Sequence, residues 1–269
     1  MNSHKILGIL SAFLVPLWGC VQIPETGKSA LILTSPEYEN QLGEQGYKEV
    51  LAKSKINPDP KLNEILRRTA TQISRQTGKR DFKWEFNLIE SKEQNAWCMP
   101  GGKIAVYTGI LPAMASEGGM AVVLGHEVAH ATLRHAGKRI TSEMFINLGL
   151  SFAEVSLGNI KYKNTLMGLL GAGAAVGIIL PFSRGDESEA DQYGLRYMAR
   201  AGYDPREAVL FWQRFAKSAG GSPPQFLSTH PGTLTRIRDL QNQMPQALQW
   251  YENSPQKFGS GEVLSAIRH

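Results

Sequence analysis

Apolar residues recur at helical spacing in several stretches of the chain. Leu62, Ile65, Leu66, Ala70 and Ile73 form one stripe within Asp59–Gly78, entered through Asp59-Pro60, which predicts a helix there. Phe82, Trp84, Phe86 and Leu88 alternate with Lys83, Glu85 and Asn87, the period of a half-buried strand over Phe82–Ile89. Asn95–Thr108 holds a Pro100-Gly101-Gly102 turn followed by Ile104-Ala105-Val106-Tyr107 and reads as a hairpin. Gly119–Lys138 predicts one long helix. Leu166–Leu180 is apolar and Gly-rich, ends at Pro181, and at 15 residues suits a buried helix better than a membrane span. Asp186–Ala201, Pro205–Ala219 and Thr233–Met244 predict three further helices, and Pro245–His269 is a weakly patterned tail. Cys20–Leu51 is polar and shows no period, so it reads as an irregular tether. The fold class expected is α+β, mainly helical, with one domain over residues 52–269.

The N-terminus carries its own pattern. Ile6–Trp18 is an apolar run of 13 residues behind a short segment with Lys5, too short to span a bilayer and suited to a signal sequence. It closes on Leu17-Trp18-Gly19-Cys20, which resembles a bacterial lipobox. That resemblance implies a lipoprotein signal peptide over residues 1–19, cleavage before Cys20 and acylation of its thiol, with the lipid membrane as a partner. Val21 follows where Asp would favour inner-membrane retention, so the outer membrane facing the periplasm is the expected location. The alternative is a signal anchor or an ordinary secretory signal.

Composition narrows the function classes. The 269 residues are 42% hydrophobic and 20% charged, which excludes a disordered chain. Mean hydropathy of −0.24 argues against many membrane spans. The net charge of +5 is spread along the chain without a basic run, so no nucleic-acid partner is expected. Cys20 and Cys98 are the two cysteines, and acylation of the first leaves no disulfide.

Candidate chemistry centres on His126-Glu127-Val128-Ala129-His130. Residues four apart share a helix face, so His126 and His130 can present two imidazoles to one ion. Glu127 sits one residue round, placed to act on an attacking water. This is the HExxH arrangement of zinc peptidases. The apolar run Ala121–Leu124 predicts that the helix is buried, and Gly125 permits close packing. A catalytic zinc needs three protein ligands and one open position. His135 is half a turn out of phase with His126 on one continuous helix and is expected to face away. A metzincin would carry Gly at 133 and His at 136, where this chain has Leu133 and Ala136. The acidic cluster Asp186-Glu187-Ser188-Glu189-Ala190-Asp191 is the other source of a ligand. Glu187 and Asp191 share a helix face, so one can bind metal while the other accepts a proton from a ligand imidazole. Glu189 points away from that pair.

With these motifs the chain resembles the HtpX-like and BepA-like zinc metallopeptidases, a family that includes the CAAX prenyl protease. Gly125–His130 and Glu187–Asp191 match its HExxH and ExxAD motifs, and Asn95–Gly102 and Thr229-His230-Pro231 with Arg236 are similar as well. The resemblance spans about residues 55–245. The several membrane spans of HtpX and the helical-repeat domain of BepA have no counterpart in this sequence. The resemblance implies a gluzincin fold with a small sheet whose edge strand precedes the HExxH helix and pairs with substrate backbone. It implies one zinc per chain, Glu187 as third ligand and Asp191 as partner of a ligand His.

The mechanism expected is peptide hydrolysis with Glu127 as general base and acid. His230 is the candidate donor to the oxyanion, or else a fourth ligand of the resting site, and Arg236 helps to hold the site. Asn95, Ala96, Trp97, Cys98 and Met99 would offer unpaired strand groups to an extended polypeptide with little side-chain selectivity. That mode suits unfolded or misassembled envelope proteins, and a membrane-anchored quality-control protease is the function expected. The alternative is a non-proteolytic holdase or assembly factor, against which the intact Glu127 speaks.

Overall fold

The computed structural model describes residues 19–157, 182–218, 226–227, 230 and 233–264. The expected helix over Leu166–Leu180, most of the signal segment, Thr229 and Pro231 lie outside these residues. In order the elements are β1 (Cys20–Gln22), β2 (Ser29–Leu31), α1 (Pro36–Lys53), α2 (Pro60–Ser74), β3 (Glu85–Ile89), β4 (Ala96–Met99) and β5 (Lys103–Tyr107). There follow α3 (Leu111–Met114), α4 (Glu117–Thr132), α5 (His135–Leu157), α6 (Arg184–Arg200), α7 (Arg206–Ser218) and α8 (Thr233–Glu252). The mainly helical α+β class holds. Among the described residues no helix is long and apolar enough to cross a membrane.

The sheet has the order β3-β5-β4, with β3 parallel and β4 antiparallel to β5. Strand alternation sorts its side chains onto two faces. Leu88, Ala96, Ile104 and Val106 join the main core with α2 and α4. Ile89, Trp97, Ala105 and Tyr107 pack instead with Tyr47 and Val50 of α1. The β4–β5 turn runs through Gly101 and Gly102, both at positive φ, and a Cβ on Gly102 would lie 2.6 Å from the Trp84 ring. Trp84 itself precedes β3, which starts three residues later than the alternation predicts and is fixed by the bond from Glu85 N–H to Gly102 O (2.9 Å).

β4 is the outer strand. Tyr107 N–H donates to Asn95 O (3.0 Å), so the residues paired to β5 by hydrogen bonds alternate from Asn95 to Trp97 and Met99. The backbone groups of Ala96 and Cys98 therefore face away from β5, where no further strand lies among the described residues.

α4 is the central helix. All sixteen of its residues are buried, as an all-round apolar helix must be. It crosses α6 at Gly125 and Gly194, where backbones touch. A Cβ on Gly125 would lie 2.7 Å from Gly194 O, and one on Gly194 would lie 2.7 Å from His126 N. The N-terminus of α4 is pinned through Glu117, which accepts from Arg68 Nη2 (2.7 Å), Tyr203 OH (2.8 Å) and Thr69 Oγ1 (3.1 Å).

Three expectations are corrected. Residues 20–51 are no tether. β1 and β2 form an antiparallel hairpin with Ile23 and Ile32 in the core, and Ser35 caps α1 with Pro36 in its first turn. Tyr47 is buried and donates to Ile104 O (2.9 Å). Gly43 and Gly46 weaken the helical pattern of α1, yet Gly43 is needed because a Cβ there would sit 2.2 Å from Pro100 O. Second, α8 runs through Pro245 to Glu252. Pro245 is exposed, and burial of Ala247 two residues on carries the helix past the missing N–H. Third, the tail after α8 is ordered through its backbone as far as Leu264. Phe258 N–H bonds Gly202 O (2.7 Å), Glu117 N–H bonds Glu262 O (2.7 Å) and Leu264 N–H bonds Ala115 O (2.8 Å). Such contacts leave no side-chain period to read.

Two predictions follow from this packing. Gly194→Ala forces α6 off α4, so it should lower stability by about 1–3 kcal/mol, the usual cost of overpacking, and reduce metal binding in the same variant. Urea unfolding and metal titration check both. The Arg68 and Tyr203 bonds hold the Glu117 carboxyl below its ordinary range against the opposing pull of burial. A carboxyl lowered in the folded state stabilises fully above its unfolded value near 4.3, and that stability is lost as pH falls through the folded value. Wild type should therefore lose urea resistance more steeply than Glu117→Gln between about pH 5 and 3, while being the more stable at pH 7.

Candidate metal centre

α4 brings His126, Glu127 and His130 to its C-terminal half, and all three are buried. The helix that crosses it at Gly194 begins at Arg184, where Ser183 Oγ accepts from Asp186 N–H, and it carries Glu187 in its first turn, seven residues before Gly194. Its first two turns lie over the histidines. His126 Nε2 is 3.0 Å from His130 Nε2 and 3.4 Å from Glu187 Oε2, and His130 Nε2 is 3.4 Å from Glu187 Oε1. His230, between α7 and α8, is held by its N–H to Phe226 O (2.8 Å). Its Nδ1 lies 3.0 Å from Glu187 Oε1 and 3.2 Å from His126 Nε2, and its Nε2 lies 3.5 Å from Glu127 Oε1. Single donor atoms of His126, His130, Glu187 and His230 fall within 4.8 Å of one another.

Asp191 and Arg236 support this cluster. His126 Nδ1 is 3.1 Å from Asp191 Oδ1 and donates to it, leaving Nε2 turned to the centre. Arg236 Nε donates to Asp191 Oδ2 (2.6 Å), and Nη1 lies 2.8 Å from Glu187 Oε2. Its guanidinium stacks 3.9 Å over the Trp212 ring. Glu189 points the other way, to Lys28 and Lys138.

The residues fit a divalent cation. Two or three imidazoles and one carboxylate are zinc-type donors, and two nitrogens on a tetrahedral ion lie about 3.3 Å apart, close to the spacing found. Burial pushes the Glu187 carboxyl up, but hydrogen bonds from His126, His130 and His230 hold it far below the usual range, so it stays an anion. Asp191 is likewise held low by Arg236 against burial. Glu127, Glu187 and Asp191 set three carboxyl groups against one guanidinium in a space shut off from water, an imbalance that a dication relieves. Two buried atoms, Glu127 Oε1 and Glu187 Oε2, make no hydrogen bond of good geometry and are met only by the ion-pair contacts of His230, His126 and Arg236. Burial raises the Glu127 carboxyl, the direction that readies a carboxylate to take a proton near neutrality.

A small crevice of about 10 Å³, room for one water, lies beside the centre, lined by Cys98, Met99 and Pro100 of the β4 end and by His130 and Phe182. It lies between the end of β4 and His130. The Cys98 thiol is raised well above its ordinary value by burial, so it is a packing group rather than a nucleophile.

His126, Glu127, His130, Glu187, Asp191, His230 and Arg236 thus come together, with Cys98 and Met99 beside them. Trp97 packs instead on Tyr47 across the sheet, and Cys20 lies exposed at the start of β1. The sequence argument about His135 needs correction. The helix predicted over Gly119–Lys138 ends at Thr132, Arg134 turns at φ 55°, and α5 starts a new direction. His135 does not point away: it is fully buried with Nδ1 2.9 Å from His130 Nδ1. Neither Gly nor Pro marks this break. Arg134 is held in the left-handed turn by Glu39 (2.7 Å) and Thr34 O (2.8 Å) from the N-terminal segment, so no local signal could have revealed it. Trp212, under Arg236, is the other residue that the sequence reading missed.

The model of peptidase family M48 matches residues 57–244. The mitochondrial metalloendopeptidase OMA1 of Schizosaccharomyces pombe is 33% identical over 84% of this chain and 66% of its own length. OMA1 of Arabidopsis thaliana is 38% identical over 62% of this chain and 33% of its own. The β-barrel assembly-enhancing protease of Escherichia coli is 25% identical over 88% of this chain and 50% of its own. The chain therefore spans from a third to two thirds of these relatives. The match runs across both helices that meet at Gly125 and Gly194, and the chain belongs to peptidase family M48.

Proposed function

We propose that the chain is a zinc-dependent endopeptidase, with the ion held by His126, His130 and Glu187. The observation that carries this reading is Glu127: a buried carboxylate beside the ligand cluster, raised by burial and with one oxygen that makes no hydrogen bond. A binding scaffold has no use for it. Zinc in such a site acidifies water towards neutrality and polarises a scissile carbonyl. Glu127 takes the proton of the attacking water and delivers it to the leaving amine. His230 Nε2, 3.5 Å from Glu127 Oε1, is placed to donate to the oxyanion as the carbonyl becomes tetrahedral. Arg236 fixes Asp191, and through it the ring of His126.

The substrate is an extended polypeptide laid along β4, where the N–H and C=O of Ala96 and Cys98 provide ladder bonds. Cys98 and Met99 line one crevice with His130, which puts that end of the edge next to the centre. Recognition through backbone groups selects for unfolded chains rather than for a motif. Export under the signal segment and acylation of Cys20 would place the enzyme on the outer membrane facing the periplasm, where unfolded or misassembled envelope proteins are its substrates.

Casein digestion should stop when Glu127→Gln is tested, falling about 10²–10⁴-fold while zinc content stays near one per chain. Glu187→Ala should lose the ion itself, and a chelator should silence wild type. Digestion by Glu127→Gln at the wild-type rate would remove the general base and with it this reading.

For His230→Ala the expected result is a fall in kcat of about 10²–10³ with little change in KM, because the oxyanion exists only in the transition state. Activity that rises instead identifies His230 as a fourth ligand closing the resting site. Peptide kinetics separate the two by sign.

A further inference from the structure

Behind His130 lies a second group of ligand-type side chains, His135, Asp186 and Glu189, that the proposed chemistry does not use. It does not suit a metal. Lys138 Nζ already donates to Asp186 Oδ1 and Glu189 Oε2, both at 3.1 Å, and Lys28 Nζ donates to Glu189 Oε1 at 2.8 Å. A dication there would have to displace two ammonium groups.

The ring of His135 faces a different neighbour. Its Nδ1 is 2.9 Å from His130 Nδ1, and its Nε2 is 3.4 Å from Glu189 Oε2 and 3.5 Å from Asp186 Oδ1. When His130 binds an ion through Nε2, its proton sits on Nδ1. The one group within reach of that proton among the described contacts is the Nδ1 lone pair of His135. Acceptance at Nδ1 places the His135 proton on Nε2, aimed at the two carboxylates. The order of atoms is then carboxylate, His135, His130, ion.

We propose that His135 is a positioning residue of the metal centre, the hydrogen-bond acceptor that fixes the tautomer and ring plane of His130. The two α4 ligands are thus oriented by different means. His126 donates directly to Asp191, whereas His130 reaches its carboxylates through an interposed imidazole. The difference follows from the helix geometry. Glu189 lies half a turn from Glu187 and Asp191 on α6, so it cannot approach the ligands and needs a spacer. The break at Arg134 supplies one, by turning His135 back under His130. Phe182 stacks on the His130 ring at 4.0 Å and restricts it from the other side.

The proposal rests on His130 being a ligand, and the test separates the two claims. Zinc affinity is measured by chelator competition at fixed pH for wild type, His130→Ala, His135→Leu, His135→Asn and His135→Gln. Circular dichroism of the metal-free forms reports folding. His135→Leu fills the space without an acceptor and should weaken zinc about 10–100-fold, the usual effect of losing an outer partner. Asn puts its amide oxygen near the place of Nδ1 and should restore affinity to within about threefold of wild type. Gln puts its amide near Nε2, away from His130, and should behave like Leu. Asn and Gln are alike in polarity, so their comparison stands even if the Leu variant does not fold. Equal affinity of Asn and Gln, or wild-type affinity of His135→Leu, overturns the role of His135. Wild-type affinity of His130→Ala overturns the ligand reading instead.

Discussion

Everything at the metal centre depends on how closely α4 and α6 approach. Two helices whose contact residues carry ordinary side chains pack with axes about 8–10 Å apart. At that distance Glu187 and Asp191 would stand further from the imidazoles that they meet here at 3.1–3.4 Å. Glycine at 125 and 194 removes the Cβ atoms that would keep the backbones apart, and each glycine faces the other helix's main chain. Glu187 and Asp191 precede Gly194 by seven and three residues, about two turns and one turn, so they hang over the face that carries His126 and His130. The distance between helices sets the distance between ligands.

Such proximity brings charge into a space without water. Three carboxyl groups and a guanidinium lie within a few ångströms, all on buried residues. Their arrangement is not neutral by itself, which gives the protein a stake in binding a cation. Without one, burial and the Arg236 charge oppose a proton on His126, yet Asp191 and Glu187 draw one there, raising its pKa to about 9. Arg236 has two tasks there. It holds Asp191 ionised as the acceptor of His126, and it lies against Glu187 Oε2, limiting the negative charge that an ion would meet. Stacking on Trp212 keeps the guanidinium in a plane where it serves both carboxylates.

The sequence was legible where a local period or a motif determines structure. HExxH and the Glu187–Asp191 spacing need only the helical repeat, and both carried through to the assembled site. The hairpin turn at Pro100-Gly101-Gly102 was legible because positive φ favours glycine. The failures share one cause, dependence on distant partners. Arg134 breaks a helix although its own residue type does not ask for it, because Glu39 and Thr34 hold its side chain. Pro245 leaves α8 intact because Ala247 beyond it is buried. Residues 20–51 look like a tether because Gly43 and Gly46 dilute the period of α1, yet the Ser35-Pro36 start was a readable helix signal.

The folded N-terminal segment changes what an acyl group on Cys20 would do. An irregular segment of about thirty residues can extend roughly 100 Å at ~3.3 Å per residue, so the domain could range freely above a membrane. Here Cys20 instead pairs with Leu31 in a hairpin whose Ile23 and Ile32 are buried in the core. That hairpin is also joined to α6, by Tyr193 OH donating to Glu25 O (2.7 Å) and by Lys28 to Glu189. The hairpin that begins at Cys20 is therefore tied to the helix that supplies Glu187. A lipid at Cys20 would hold the centre at one height and one orientation, and only polypeptides that come to the bilayer surface would reach β4. Selectivity of place would then compensate for the breadth of the backbone recognition proposed for β4.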